Sequence, residues 1–292
     1  MSLQKRTISS RIDAVTRIPE THRGEILPAP KSVKIELNSR CNYRCEFCVR
    51  SIRKNDSQDM DRDFYSRIVR EFKNAGVQEL GLFYINEPFS VDWLPQAISI
   101  AKFVGFEYIF LTTNGSIAKP EKVEACMKAG LNSLKFSINF SDREQFKKVA
   151  NVSPSLYKKA LDNLKLARAV RDSGNYDCGL YASSIAFDGE QGKKMTDLIE
   201  KYVKPYVDEF YWLPLYGMSG AAKESGMKPS AGNPGRLDSQ VDSLPCWSCF
   251  TEGHITVDGM LSACCFGAGL GGELTMADLN KVSFIDGWNS IK

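Results

Sequence analysis

The chain has 292 residues, of which 43% are hydrophobic and 25% charged. This is a globular composition, and it excludes general disorder, collagen and a coiled coil. The formal charge is +3 from 38 basic and 35 acidic residues, without a long basic run or an aromatic-interleaved basic stripe, so nucleic acid is not an expected partner.

Residues 1–30 are polar and interrupted by Pro19, Pro28 and Pro30, and read as an N-terminal arm over the surface. From Val33 the pattern alternates. Residues 33–37 read as a strand. A helix is predicted over 61–75 from Phe64, Ile68, Val69 and Phe72. A strand follows over 78–85, then a helix over 94–104 with Asp92 as its expected cap. Next come a strand at 108–111, a helix at 119–129, a strand at 133–138, a helix at 154–171, a strand at 176–185, a helix at 190–203 and a strand at 209–213. Six strands alternating with helices predict parallel strands and right-handed crossovers. The expected fold is α/β, a partial (β/α)6 TIM-like barrel over 31–215. Residues 216–245, rich in Gly and Pro, read as a linker or lid. Residues 246–292 read as a small cysteine-bearing C-terminal unit, with a tight hairpin over 255–261 turning at Asp258-Gly259. No apolar run approaches the roughly 18 residues of a membrane span, and the N-terminus has no apolar secretory core, so a cytoplasmic location and no membrane partner are expected.

Nine cysteines and two histidines point to metal or redox chemistry rather than a disulfide framework. Directly after the first strand comes Cys41-Asn-Tyr-Arg-Cys45-Glu-Phe-Cys48. The loop after a barrel strand is where catalytic groups collect. Three thiolates on one short loop suit an iron–sulfur cluster, or less well zinc. A structural zinc wants a fourth ligand that the loop does not supply. A four-iron cluster on three cysteines leaves one iron open.

This spacing, with Phe47 before the last cysteine, resembles the radical S-adenosylmethionine (SAM) superfamily. The resemblance implies a [4Fe-4S] cluster on Cys41, Cys45 and Cys48 that chelates SAM and cleaves it to a 5′-deoxyadenosyl radical, which abstracts a hydrogen atom. It implies an external one-electron reductant of the flavodoxin or ferredoxin type. Cofactor-binding positions carry over in turn. Ile85-Asn86-Glu87-Pro88 stands where the family usually has Gly-Gly-Glu-Pro, with Glu87 as the charge for the cofactor's ammonium. Asn114 lies in a Thr-Asn-Gly turn. Ser137 and Asn139 stand at the family's Ser-x-Asp, and Ser184, beside Ser183, ends the fifth strand.

Cys246-Trp-Ser-Cys249, the turn glycine and Cys264-Cys265 resemble the hairpin that opens the SPASM or twitch domain, which holds a second, auxiliary [4Fe-4S] cluster. A zinc ribbon is the alternative. Cys126 reads as core. The expected auxiliary ligands are Cys178, Cys246, Cys264 and Cys265, with Cys249 as the spare thiol that returns a hydrogen atom to a substrate radical. The rival assignment makes Cys249 a ligand and Cys178 a buried strand residue or the donor. The short chain is similar to the small members that modify aminoglycosides, neomycin C epimerase-like or butirosin dehydrogenase-like. That implies a carbohydrate or aminoglycoside substrate and epimerisation, with alcohol oxidation or peptide maturation as alternatives. Asp188, Glu190 and Glu252 are candidate partners for a polyamine.

Overall fold

The computed structural model describes residues 7–52, 57–187, 189–213, 246–265 and 274–290. The expected linker 216–245 and Asp188 lie outside them.

The strands are β1 Ser32–Ile35, β2 Glu79–Gly81, β3 Tyr108–Thr113, β4 Ser133–Ser137, β5 Gly179–Ile185 and β6 Glu209–Leu213. Each pairs with the next in parallel register, for example Val33 with Leu80 and Leu134 with Leu180. Helices α2 Arg62–Ala75, α3 Leu94–Val104, α4 Pro120–Lys128, α6 Ser155–Ser173 and α7 Gly189–Tyr202 occupy the crossovers, which is the predicted α/β alternation. Sequence chemistry sets their ends. The Asp61 carboxylate caps α2 by accepting from the Phe64 amide at 2.7 Å, and Gly76 ends it in the left-handed region. The expected Asp92 cap is not used: Trp93 holds that position without a side-chain bond, and Pro95 in the first turn starts α3.

Alternation along each strand separates two faces. Val33, Leu80, Ile109, Leu134, Phe136 and Leu180 are wholly buried. They face the helices, as Phe136 does beside Ala160 of α6. Lys34, Gly81 and Phe110 take the other face, where a Cβ on Gly81 would stand 2.9 Å from the Phe110 ring and 3.1 Å from Lys34 Cγ. This second face is the barrel lumen, and it also carries Lys135, Tyr181, Ser183 and Tyr211.

Three elements depart from the sequence reading. The expected surface arm contains helix α1, Ile8–Thr16. Arg11 lies 3.4 Å over the Tyr108 ring and 3.7 Å from Glu79, and the Ser9 hydroxyl donates to Glu209. Tyr108, Glu79 and Glu209 are the first residues of β3, β2 and β6, so α1 closes the N-terminal end of the lumen. Second, helix α5, Arg143–Ala150, was not expected. Asp142 caps it, and Phe146, Val149 and Ala150 are buried. Third, the C-terminal unit continues the main sheet. After α8 Ser248–Thr251, β7 Glu252–Ile255 pairs in parallel with β1 from Ser32↔Glu252 to Ile35↔Ile255. The hairpin then adds β8 Met260–Ser262 and β9 Thr275–Asp278 antiparallel, giving one nine-stranded sheet. Helix α9, Phe284–Trp288, closes the outer face, with Trp288 Nε1 donating to the Pro28 carbonyl at 3.0 Å.

The hairpin turn falls at Asp258-Gly259 as predicted. Gly259 has φ +85°, and a Cβ there would meet Asn280 Nδ2 at 2.7 Å and Phe64 Cζ at 2.9 Å. A Gly259→Ala variant is expected to lose about 1–2 kcal/mol from the backbone conformation alone, read as a lowered urea midpoint at constant m-value. An unchanged midpoint would exclude a rigid turn.

Candidate active site

The cysteine loop leaves the C-terminal end of β1 and is fixed by its backbone. The Arg44 amide donates to the Ala150 carbonyl at 2.9 Å and the Glu46 amide to the Val149 carbonyl at 3.1 Å. The loop therefore hangs on the last turn of α5. Phe47 is 7% exposed and packs with Val149 and Ile185, joining the loop to α5 and the end of β5. Cys41, Cys45 and Cys48 border a cavity of about 190 Å³ together with Tyr43, Arg44, Arg50, Tyr84, Ile85, Asn86 and Cys265.

All three loop thiols are held protonated in the free protein. Burial, with Glu87 nearby, pushes Cys41 up to about 12. Burial and the two neighbouring thiols push Cys45 well above the ordinary range. Burial raises Cys48, with Arg50 opposing. Metal must therefore displace protons here. Among the described residues, these three thiols and no His or fourth Cys besides Cys265 border the cavity. The donor set fits a cluster held by three cysteines.

The other expected cofactor residues surround this loop, several with their polar atoms engaged in the protein. Asn114 Nδ2 stands 3.9 Å from Cys41 Sγ and donates to Asn42 at 2.9 Å, and Asn42 donates to Ser116 at 2.8 Å. Asn86 lines the cavity, accepts from the Tyr84 amide and donates to Asn38. Glu87 is 1% exposed. It accepts from Thr113 Oγ1 at 2.6 Å, the Asn114 amide at 2.8 Å and the Phe89 amide at 3.2 Å. Its carboxylate thus ties the β2 loop to the β3 loop, where the sequence assigned it to an ammonium. Pro88 begins the short turn after it. Ser137 ends β4 on the lumen face. Asn139 accepts from the Ile185 amide at 2.9 Å, and the buried Ser184 hydroxyl donates to the Ile138 carbonyl, so both join the ends of β4 and β5.

In the C-terminal unit, Cys249 stands with Cys246 and Cys264, which raise its pKa alongside burial, and its thiol faces the Ala263 carbonyl. Cys265 adjoins Cys264 and also borders the cavity of the cysteine loop. Tyr84 Oη donates to the Cys264 carbonyl at 2.6 Å, which fastens this corner to the β2 loop. Two assignments change. Cys178 precedes β5 at its N-terminal end, is 2% exposed, and lies near Cys126 and Arg171; in the sheet order β4, β3, β2 and β1 stand between it and β7, beside which the other expected auxiliary ligands lie. Cys249 stands with Cys246 and Cys264, as in the rival assignment, and among the described C-terminal cysteines Cys265 is the one that borders the cavity.

Glu252 is also reassigned. It is 4% exposed, accepts from Lys34 Nζ at 2.8 Å and meets His254 Nε2 at 2.9 Å. Burial opposes its ionisation, but Lys34 and His254 hold it down to about 2. It is a paired wall group, and a polyamine does not find it free. Glu190 is exposed at the start of α7.

The family model described as "Radical SAM superfamily" matches residues 35–182. The chain belongs to the radical SAM superfamily. Its members carry a [4Fe-4S] cluster and SAM. Among curated relatives, GTP 3′,8-cyclase of Chlorobaculum tepidum is 29% identical over 134 residues, covering 45% of this chain and 40% of that protein. GTP 3′,8-cyclase of Aquifex aeolicus is 31% identical over 131 residues, covering 43% of this chain and 40% of that protein. The shared stretch is thus about 40% of the relatives' length. Among solved structures, Streptococcus suis SuiB bound to precursor peptide SuiA has a TM-score of 0.68 at 15% identity, covering 96% of this chain and 67% of that one. BtrN in complex with AdoMet and 2-DOIA has a TM-score of 0.56 at 12% identity, covering 90% and 83%. At these identities the likeness is one of fold. No described helix is long and apolar enough to cross a membrane.

Proposed function

We propose that this radical SAM enzyme abstracts a hydrogen atom from a carbon of a carbohydrate held in the lumen and returns one from Cys265, so that the carbon is epimerised. Cys41, Cys45 and Cys48 would hold the cluster, with Asn86 and Asn114 beside the cofactor. Bound there, the cluster supplies one-electron cleavage of the SAM sulfonium, the source of the abstracting radical. The carrying observation is that Cys265 borders the same cavity as the three loop cysteines. Contact with the Cys264 thiol, and then burial, raise its pKa, which keeps it as S–H, the form a hydrogen-atom donor needs. Donation leaves a sulfur radical, and one electron from a flavodoxin- or ferredoxin-type reductant plus one proton restores the thiol. A sugar is retained from the sequence reading, with Glu252 set aside as a partner for a substrate amine because it is held by Lys34.

A second reading is radical oxidation of an alcohol, favoured by the grouping of Cys246, Cys249 and Cys264. An auxiliary cluster there would take the electron. Iron near eight atoms per chain supports it, and near four removes it, as an order-of-magnitude guide. The deciding experiment is turnover of a neutral and acidic sugar panel in heavy water. Epimerisation places one deuterium on the reacting carbon, and Cys265→Ala loses it. Deuterium uptake that survives this substitution overturns the assignment.

A further inference from the structure

We propose that Lys135 binds an anionic group of the substrate, a phosphate or a carboxylate, inside the lumen. This rests on the lumen being the substrate site.

Among the described residues of the six strands and α1, three cations take the lumen side, and two are matched. Arg11 meets Glu79 at its closed end. Lys34 meets Glu252 at 2.8 Å. Lys135 is the third. Its neighbours Leu134 and Phe136 are wholly buried toward the helices, so alternation turns Lys135 inward at the middle of β4. It stands in register with Thr112 of β3 and Tyr181 of β5. Its ammonium reaches past β5 to donate to Tyr211 Oη at 3.1 Å and lies 5.6 Å from that ring's centroid. Among the described residues no carboxylate forms an ion pair with it.

A half-buried ammonium with a neutral partner is incompletely compensated for lost hydration. An anion arriving from solution supplies the missing charge. The Tyr211 hydroxyl beside it is a second polar group at the same point, and a phenol that accepts from an ammonium is strengthened as a donor in turn. The contrast with Lys34 makes the location specific: the wall provides a carboxylate for one lysine and leaves the other to the ligand. The closed floor of α1 below and the cysteine loop above then set the orientation. The acidic group lies toward β4 and β6, and the reacting carbon toward the C-terminal ends of the strands.

The test uses one sugar ring at four charges. Calorimetric affinities of the reconstituted enzyme are measured for glucosamine, glucose, glucuronate and glucose 6-phosphate. Affinity is expected to rise with negative charge, with glucose 6-phosphate roughly tenfold to a hundredfold tighter than glucose. Whichever of the two anions binds tighter identifies the group as phosphate or carboxylate. Lys135→Gln is expected to level the series and Lys135→Arg to preserve it. Equal affinities in the parent enzyme, or a charge order that survives Lys135→Gln, overturn the proposal. If Lys135→Gln does not fold, the parent series and Lys135→Arg still decide. SAM cleavage is measured separately. Its absence removes the radical reading and leaves the charge order standing, whereas a flat series with intact cleavage removes the anion site alone.

Discussion

A Cys45→Ala variant is expected to lose reductive SAM cleavage by roughly a thousandfold or more and about four iron atoms per chain. Its metal-free form is expected to stay folded, within about 1 kcal/mol of the parent. The two halves have different causes. Cluster binding needs the middle thiolate of the loop. The fold of the loop does not, because its path is fixed by the Arg44 and Glu46 amides on the end of α5 and by Phe47 against Val149 and Ile185. In the metal-free protein the Cys45 thiol is a cost rather than a support when ionised, since burial and the two neighbouring thiols raise its pKa. Iron analysis, SAM cleavage under dithionite and urea unfolding of the metal-free protein check the prediction. Retained iron with retained cleavage would exclude this loop as the cluster site. Unfolding of the metal-free variant would make Cys45 a structural residue.

The barrel was legible because its signals are local. Strand β6 falls at 209–213 as read, and α2 and α3 match their predicted spans, since an apolar stripe of one period needs no knowledge of its partner. The cysteine loop was legible from spacing alone. What the sequence withheld is which surfaces meet. Helix α5 is eight residues long with three buried side chains, too short for a periodic pattern, although Asp142 three residues before Gln145 was a usable start signal. Arg11 in a polar N-terminal segment gave no sign that it would lie on Tyr108 inside the barrel. Pairing of β7 with β1 joins residues about 220 positions apart, beyond any local rule. The place of Cys178, separated from β7 by four strands in the sheet order, was not legible because cysteine spacing does not report which strands are neighbours. Lys135 had a signal, since it is the lone charge at an inward position of an otherwise apolar strand core, where a charge requires a partner or a ligand.

Removing the Glu87 side chain is expected to have the largest effect on stability among the residues around the cavity. Glu87→Ala leaves Thr113 Oγ1 and the amides of Phe89 and Asn114 without their acceptor, a loss of about 3 kcal/mol or more. Glu87→Gln keeps an acceptor oxygen and separates charge from shape. Burial raises the Glu87 carboxyl from its ordinary 4.5 to about 7, against the three donated bonds, which favour the ionised form. A raised carboxyl means that the folded protein holds this proton more tightly than the unfolded chain. Its contribution is therefore full below about pH 4.5, falls as pH rises toward 7, and is level above that. The change is at most about 3 kcal/mol. Glu87→Gln cannot ionise and lacks this slope, so the variant gains on the parent between pH 5 and pH 8. Urea unfolding of metal-free protein at both pH values measures the difference. A parent-to-variant gap that does not change with pH would show that Glu87 stays ionised throughout, with the three hydrogen bonds outweighing burial. Either way the variant's effect on SAM binding follows from geometry: this carboxylate holds the β2 loop carrying Asn86 to the β3 loop carrying Asn114. Without it the amide beside Cys41 loses its anchor.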